Sequence, residues 1–189
     1  MKTVSVKDLV VPLSEYATVS ENASMCEAVM ALEQAQEAFD HTKYRHRGIL
    51  VLNQDGRVVG KIGQLDVLRA LEPKYSEIQK NSGFSRLGFT KKFMLTMLDS
   101  YHLWESPLKD ICAKADTVPV SDFMQVPCEE ECVEEEATLD EAIHQLVMGH
   151  HQSLLVTSGD TITGILRLTD VFAAVFHYMK EYMKERNTL

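Results

Sequence analysis

The sequence predicts a mixed α/β (α+β) protein built from two pseudo-symmetric βαββα repeats with a helical insertion between them. Three observations carry that reading. First, Leu50-Val51-Leu52-Asn53-Gln54-Asp55-Gly56-Arg57-Val58-Val59-Gly60-Lys61-Ile62 recurs 104 positions later as Leu154-Leu155-Val156-Thr157-Ser158-Gly159-Asp160-Thr161-Ile162-Thr163-Gly164-Ile165-Leu166. Without a gap, Leu50 falls on Leu154, Gly60 on Gly164, Asp66 on Asp170 and Ala70 on Ala174. An internal repeat decides the architecture, so it is read before any single element. Second, Ser24-Met25-Cys26-Glu27 and Thr138-Leu139-Asp140-Glu141 are both capping boxes, now 114 positions apart. In each, a hydroxyl satisfies one free helix N–H while the glutamate reaches back to another. Third, each copy carries a tight-turn signal, Asp55-Gly56 and Gly159-Asp160, between two β-rich runs, which marks a hairpin.

The elements follow in order. Asp8-Leu9-Val10 matches Asp122-Phe123-Met124 at the larger offset, so each copy begins before its capped helix. The change of offset from 114 to 104 places ten extra residues in the first copy, around 35–44. They lengthen its first helix or the loop after it. Strands are expected at 48–52 and 57–62, and again at 154–157 and 161–166. Helices begin near Asp66 and Asp170, since Asp is a favoured N-cap and its charge suits the positive helix end. Leu65, Leu68 and Leu71 share one side of the first of these helices, and Phe172, Val175, Phe176 and Met179 one side of the second. Met179, Tyr182 and Met183 extend that stripe into the tail, as core or as a dimer contact. The stretch 72–119 is too long for an ordinary connection. Gly83 and Gly88 punctuate it, 91–104 reads as a helix, and Pro107 opens a second short helix. The expected organisation is a first repeat at 1–72, a helical insertion at 73–104, and a second repeat with an extended C-terminal helix at 105–189.

Composition narrows the function. Hydrophobic residues make up 45% and charged residues 25% of the 189, an ordinary globular balance. No apolar run approaches the roughly 18 residues that span a bilayer, and Met1 to Asp8 lacks a secretory apolar core. A cytoplasmic protein without membrane contact is the expectation. Cys26, Cys112, Cys128 and Cys132 then read as free thiols. Cys128 and Cys132 form one loose pair among glutamates, short of a paired zinc motif, so no metal is expected. The formal net charge of -9 disfavours nucleic acid. Six glutamates between 129 and 136 read as solvated charge ahead of a helix. No P-loop, Rossmann glycine pattern or supported Ser-His-Asp set is present. Asp66 and Asp170 as an acid–base pair would need different environments, which equivalent positions do not supply. No catalysis is expected.

A capped helix, a hairpin, and then glycine followed six residues later by aspartate resembles the cystathionine β-synthase (CBS) domain. Gly164-Ile165-Leu166-Arg167-Leu168-Thr169-Asp170-Val171-Phe172 is the better match, and Gly60-Lys61-Ile62-Gly63-Gln64-Leu65-Asp66-Val67-Leu68 the weaker. The resemblance covers roughly 1–72 and 105–183. It implies a tandem pair, a Bateman module, whose repeats pack through their sheets. It also implies an adenosine-containing ligand (AMP, ADP, ATP or S-adenosylmethionine) between the repeats, with no cofactor required. By the same resemblance Asp66 and Asp170 take ribose hydroxyls, a task suited to a carboxylate with several acceptor sites. Gly60, Gly164 and Thr169 belong to the motif around them. Ile49 and Leu154 flank the base, and Arg47 or His151 meets phosphate.

Two positions depart from the family, which often has Ser or Thr three residues after the glycine. This chain has Gly63 and Arg167 there. Arg167 either makes a bidentate phosphate contact, projects to solvent, or pairs with the acidic run. Gly63 brings no side chain, so the site of Asp66 is expected to be the poorer and Asp170 the better anchor. Each residue also has a plain reading. Asp66 and Asp170 cap helices, Gly60 and Gly164 permit close strand packing, and His150-His151 lie at the surface. Arg45-His46-Arg47 is an anion site or the solvated end of a helix. The expected function is a regulatory ligand sensor that signals to an unidentified protein partner, most simply as a homodimer. The alternative is an interaction scaffold that has lost its ligand and acts through dimerisation and the insertion, using Phe84, Phe89, Phe93, Tyr101 and Trp104.

Overall fold

A computed structural model of the chain describes residues 4–38, 46–81 and 90–186. Arg45, Gly83, Phe84, Gly88, Phe89 and most of the ten-residue excess expected at 35–44 therefore lie outside the described residues. The chain enters through β1 (Val11–Pro12). The first repeat is β2 (Thr18–Ser20), α1 (Met25–Ala38), β3 (Gly48–Leu52), β4 (Val58–Gly63) and α2 (Gln64–Leu71). The insertion carries α3 (Lys74–Asn81) and α4 (Lys91–Ser100), and α5 (Leu108–Lys114) follows it. The second repeat is β5 (Cys132–Glu134), α6 (Leu139–Gly149), β6 (Ser153–Ser158), β7 (Thr161–Arg167) and α7 (Leu168–Arg186). Each repeat is thus strand, helix, strand, strand, helix, as the sequence predicts.

Local chemistry sets these elements. The Ser24 hydroxyl accepts the Glu27 N–H at 3.2 Å while the Glu27 carboxylate accepts the Ser24 N–H at 2.7 Å. Thr138 and Glu141 repeat the exchange at 3.5 and 2.8 Å. Gly56 and Gly159 turn the hairpins at φ of +76° and +59°, where a side chain would be strained. The helices after the hairpins start two residues earlier than expected, at Gln64 and Leu168. Asp66 and Asp170 are therefore third-position residues, not N-caps, and Asp66 caps from there by accepting the Gly63 N–H.

The two sheets are ordered β2-β3-β4 and β1-β7-β6-β5. The second sheet gains a strand from the first copy: Val11 lies opposite Ile165 and Pro12 opposite Gly164. The exchange is reciprocal. Gln125, in the segment leading into the second copy, donates its N–H to Lys61 at 2.8 Å and accepts from Lys61 at 2.9 Å. Val6 N–H reaches Ala137 at 3.0 Å and, 114 residues on, Val120 N–H reaches Ala23 at 2.9 Å. Each copy lends its leading segment to the other's hairpin.

Packing repeats the swap. Ala28, Ile49, Val51 and Ile62 form the first core together with Val120. Ala142, Leu146, Leu154, Val156 and Leu166 form the second together with Val6. Between the sheets, Leu50, Leu155 and Ile165 meet Val11 and Tyr16. Successive strand residues thus face opposite buried layers, the pattern of a sheet covered on both sides. Full burial of each Leu or Ile contributes about 1.5–3 kcal/mol.

The strand pairing corrects the ungapped repeat. Val51 faces Gly60, but Val156 faces Gly164. The first strands of the hairpins therefore correspond at 105 positions and the second strands at 104, with the longer turn in the first copy. Leu154 matches Ile49, not Leu50, and a one-residue slip changes which face a side chain takes. Leu154 consequently fills the second core, and His151 becomes the counterpart of His46.

The insertion folds back on the first repeat. The Glu72 carboxylate accepts the Trp104 N–H at 2.8 Å, and Trp104 Nε1 donates to the Tyr75 hydroxyl at 3.1 Å. Ile78 and Leu103 are buried beneath. Met94 and Leu95 on α4 remain exposed, as do Leu65 and Leu68 on α2 and Phe172, Phe176 and Met179 on α7. The stripes read as core or contact surface are therefore at the surface of the chain.

The two repeat glycines differ in what a methyl group would meet. At Gly164 it strikes the Val11 backbone carbonyl, and at Gly60 the Met124 side chain, most closely its sulfur. Gly164→Ala is expected to lower stability by about 1–3 kcal/mol and Gly60→Ala by under about 1 kcal/mol, since a thioether yields more readily than backbone. Urea unfolding checks the order; equal losses would contradict the strand-exchange account.

Candidate functional site

A cleft of about 430 Å³ opens between the two repeats. Its walls come from both: Ile49, Lys61, Ile62, Gly63, Asp66 and Arg69 from the first, with Glu131, His151, Ile165, Arg167 and Thr169 from the second. Volume and mixed lining match small-molecule sites in general.

The carboxylate of Asp66 sits at this junction, with only 7% of the residue exposed. Its Oδ2 accepts the Gly63 N–H at 2.8 Å, and its Oδ1 accepts Gln125 Nε2 at 2.7 Å. Arg69 Nη1 lies 3.5 Å from Oδ1. A carboxylate has about four acceptor positions, so the group is fixed in direction while keeping acceptor capacity. Gln125 reaches it only through the exchanged segment. Because Gly63 bears no side chain, nothing fills the space in front of Asp66 from that position.

Beside it, Lys61 Nζ and Glu131 Oε1 form an ion pair at 2.8 Å, with side chains 18% and 14% exposed. His151 Nδ1 is 3.8 Å from the same Glu131 oxygen. Glu131 is therefore a wall of the cleft rather than solvated charge, a correction to the reading of the glutamate run. Glu129 and Glu130 remain exposed. Arg47 is exposed at the rim.

The pseudo-equivalent position in the second repeat is built differently. Arg167, 5% exposed, closes over Asp170 with a two-point grip. Its Nη2 donates to Asp170 Oδ1 at 2.7 Å and its Nε to Oδ2. The third nitrogen, Nη1, lies 3.4 Å from His46 Nδ1. The Tyr16 ring meets His46 edge-on at 4.4 Å between centroids. Burial, with the Arg167 cation adding to it, lowers the pKa of His46. Burial also pushes the Tyr16 hydroxyl up to about 12. The cluster is a neutral imidazole and phenol packed on one ion pair.

The sequence-expected residues thus divide. Asp66, Arg47, Ile49, His151, Arg167 and Thr169 line the cleft. Asp170 is held by Arg167 and is not among the lining residues. Arg167 does not project to solvent but engages its own repeat's aspartate, while Gly63 brings no side chain in front of Asp66. Leu154 faces the second core, and Gly60 and Gly164 face the exchanged segments. Tyr16, Lys61, Gln125 and Glu131 are additional lining residues that the sequence did not single out. Their only signal is pairing between copies, which a linear motif does not carry. Among the described residues, no group of three His, Cys, Asp or Glu side chains is placed to hold a metal. No described helix is long and apolar enough to cross a membrane.

Comparison with protein families matches the CBS domain model at residues 6–73 and 120–177, more than half of the chain. The chain belongs to the CBS-domain family. Its two CBS domains are the two repeats described above. The solved structures agree on the tandem fold. CBSX2 in complex with AMP is 19% identical, with a TM-score of 0.56 over 93% of this chain and 98% of that one. CBSX2 from Arabidopsis thaliana is 17% identical, with a TM-score of 0.60 over 95% and 99%. A CBS domain-containing protein from Bacillus anthracis is 14% identical, with a TM-score of 0.60 over 92% and 94%. Comparison with curated proteins returns no match.

The His46 environment gives a pH prediction. A folded pKa below the ordinary 6.5 means the unfolded chain takes the proton first as pH falls. Stability contributed at this position is then intact above that value and declines below it, through the window down to the folded pKa. His46→Gln is expected to flatten this decline in urea midpoints measured across that range. An unchanged slope in the variant would remove His46 as its source.

Proposed function

We propose that this CBS pair is a regulatory module that binds one adenine nucleotide or adenosine derivative in the cleft between its repeats. The observation that carries the reading is Asp66, a buried carboxylate with spare acceptor capacity at the junction of the two domains. Around it, Ile49, Ile62 and Ile165 give an apolar wall for a base, while Arg47, Lys61, Arg69 and His151 supply donors for phosphate. The AMP complex of CBSX2 supports the ligand class. Glu131 stands among the donors, which favours a ligand of low phosphate charge, such as AMP, over a triphosphate.

Ligand binding across two domains acts by favouring the arrangement in which both walls are in reach. The output passes to a protein partner. The exposed apolar side chains on α2 and α7 support a homodimer as the working form, since contiguous apolar surface marks association sites. The same surface supports the second reading, a scaffold acting through dimerisation without a ligand. No group in the cleft is proposed as a catalyst, and the cytoplasm is the proposed compartment.

Thermal unfolding with AMP, ADP, ATP or S-adenosylmethionine separates the two readings. At a hundredfold excess over Kd, a ligand adds about 2.7 kcal/mol to stability. AMP is expected to raise the Tm of the wild type and to leave Asp66→Asn unmoved. No shift with any of the four at millimolar concentration would leave the scaffold reading.

Sedimentation tests the dimer separately. Phe176→Glu is expected to convert a dimer to monomer without loss of the folded signal. A wild-type monomer at micromolar concentration would remove the dimer.

A further inference from the structure

We propose that Arg167 is an internal plug that closes the second of the two pseudo-equivalent positions, so that this chain takes one ligand, at Asp66. The inference rests on the nucleotide reading above for the open position, but concerns the closed one.

The argument is a comparison of matched residues. Gly63 and Arg167 occupy the same place, each ending the second hairpin strand three residues before its aspartate. Gly63 has an extended φ of -95°, a backbone any residue adopts, so the glycine is not imposed by geometry. A Cβ at that position would have one neighbour within 4 Å, Asp66 Oδ2 at 3.2 Å. An arginine at that place would be positioned to take the adjacent carboxylate, as Arg167 does. In the second repeat the planar guanidinium occupies both Asp170 oxygens. Its remaining edge faces His46, against which the Tyr16 ring packs edge-on.

The occupying groups come from both repeats, as they do at the open position. His46, beside Arg167, corresponds to His151, beside Glu131, at the 105-residue strand offset. The closed site therefore has the architecture of the open one, with a cation of the chain's own where a ligand would lie. A sugar hydroxyl would have to displace a bidentate pair between two full charges, while bringing only a neutral donor to the carboxylate and leaving the buried guanidinium without it.

Calorimetric titration with AMP tests this on the full chain. The wild type is expected to bind one equivalent. Arg167→Gly, which gives the second repeat the first repeat's residue, is expected to bind two. Adding Asp170→Asn to that variant should return it to one. Gly63→Arg should weaken the wild-type event about tenfold or more by closing the first position. Arg167→Ala serves if the glycine variant does not melt cooperatively. Two equivalents on the wild type, or one on both Arg167 variants, would overturn the plug. If the wild type binds no AMP, the proposed function falls, yet the plug still requires Arg167→Gly to gain one equivalent, and a variant that gains none overturns it. A third measurement uses no substitution. The Arg167 Nε–H resonance is expected to stay in place at saturating AMP while the Gly63 amide moves; movement of the arginine signal to an unpaired position would count against the plug.

Discussion

The reciprocal loan of leading segments is the constraint on which the rest depends. Val11 pairs with Ile165 in one direction, and Gln125 pairs with Lys61 in the other. Val6 and Val120 each complete the opposite core. Neither repeat can bury its apolar face or satisfy its hairpin edge without the other, so the two are a single folding unit. Gly60 and Gly164 are where the borrowed segments come closest, and the absence of a side chain there is what lets them approach. The cleft is a by-product of that arrangement: the interlock brings Gln125 onto Asp66 and Glu131 onto Lys61.

Pseudo-symmetry also explains why a single position decides so much. Duplication supplies two carboxylates in the same place relative to their strands, and the backbone treats them alike. What differs is the side chain three residues earlier. At Gly63 the carboxylate is held by the Gly63 N–H and Gln125 Nε2, with the half-exposed Arg69 guanidinium 3.5 Å away, and it lines the cleft. At Arg167 it is neutralised by a fixed cation whose own surroundings, Tyr16 and His46, are largely apolar and uncharged. In such a setting a charge-assisted pair is worth more than in water, while breaking it leaves a buried ion unpaired. The fold can therefore hold one open and one closed position without any change of backbone.

Much of the fold was legible from the chain alone, because it rests on local signals. The capping boxes at Ser24 and Thr138, the glycine turns at Gly56 and Gly159, and the twofold hairpin pattern each encode their own element. The helices at 91–104 and after Pro107 appear as α4 and α5 for the same reason. The site was legible only in part. Asp66 stands out through its motif, but Gln125 and Glu131 enter through pairing between copies, which sequence spacing does not display. Spacing displays Arg167 as a donor near the motif but not its partner, which is Asp170, three residues along its own helix start. The ungapped repeat failed by one residue because hairpin turns accept an extra residue without altering the strands, while the side-chain faces then shift by one.

A crystal structure of the full chain grown with AMP tests the central claim most directly. The account predicts one AMP per chain between the CBS domains, its ribose on Asp66, with Arg167 still gripping Asp170. AMP seated on Asp170 with that pair broken, or bound away from the junction of the two repeats, would contradict it.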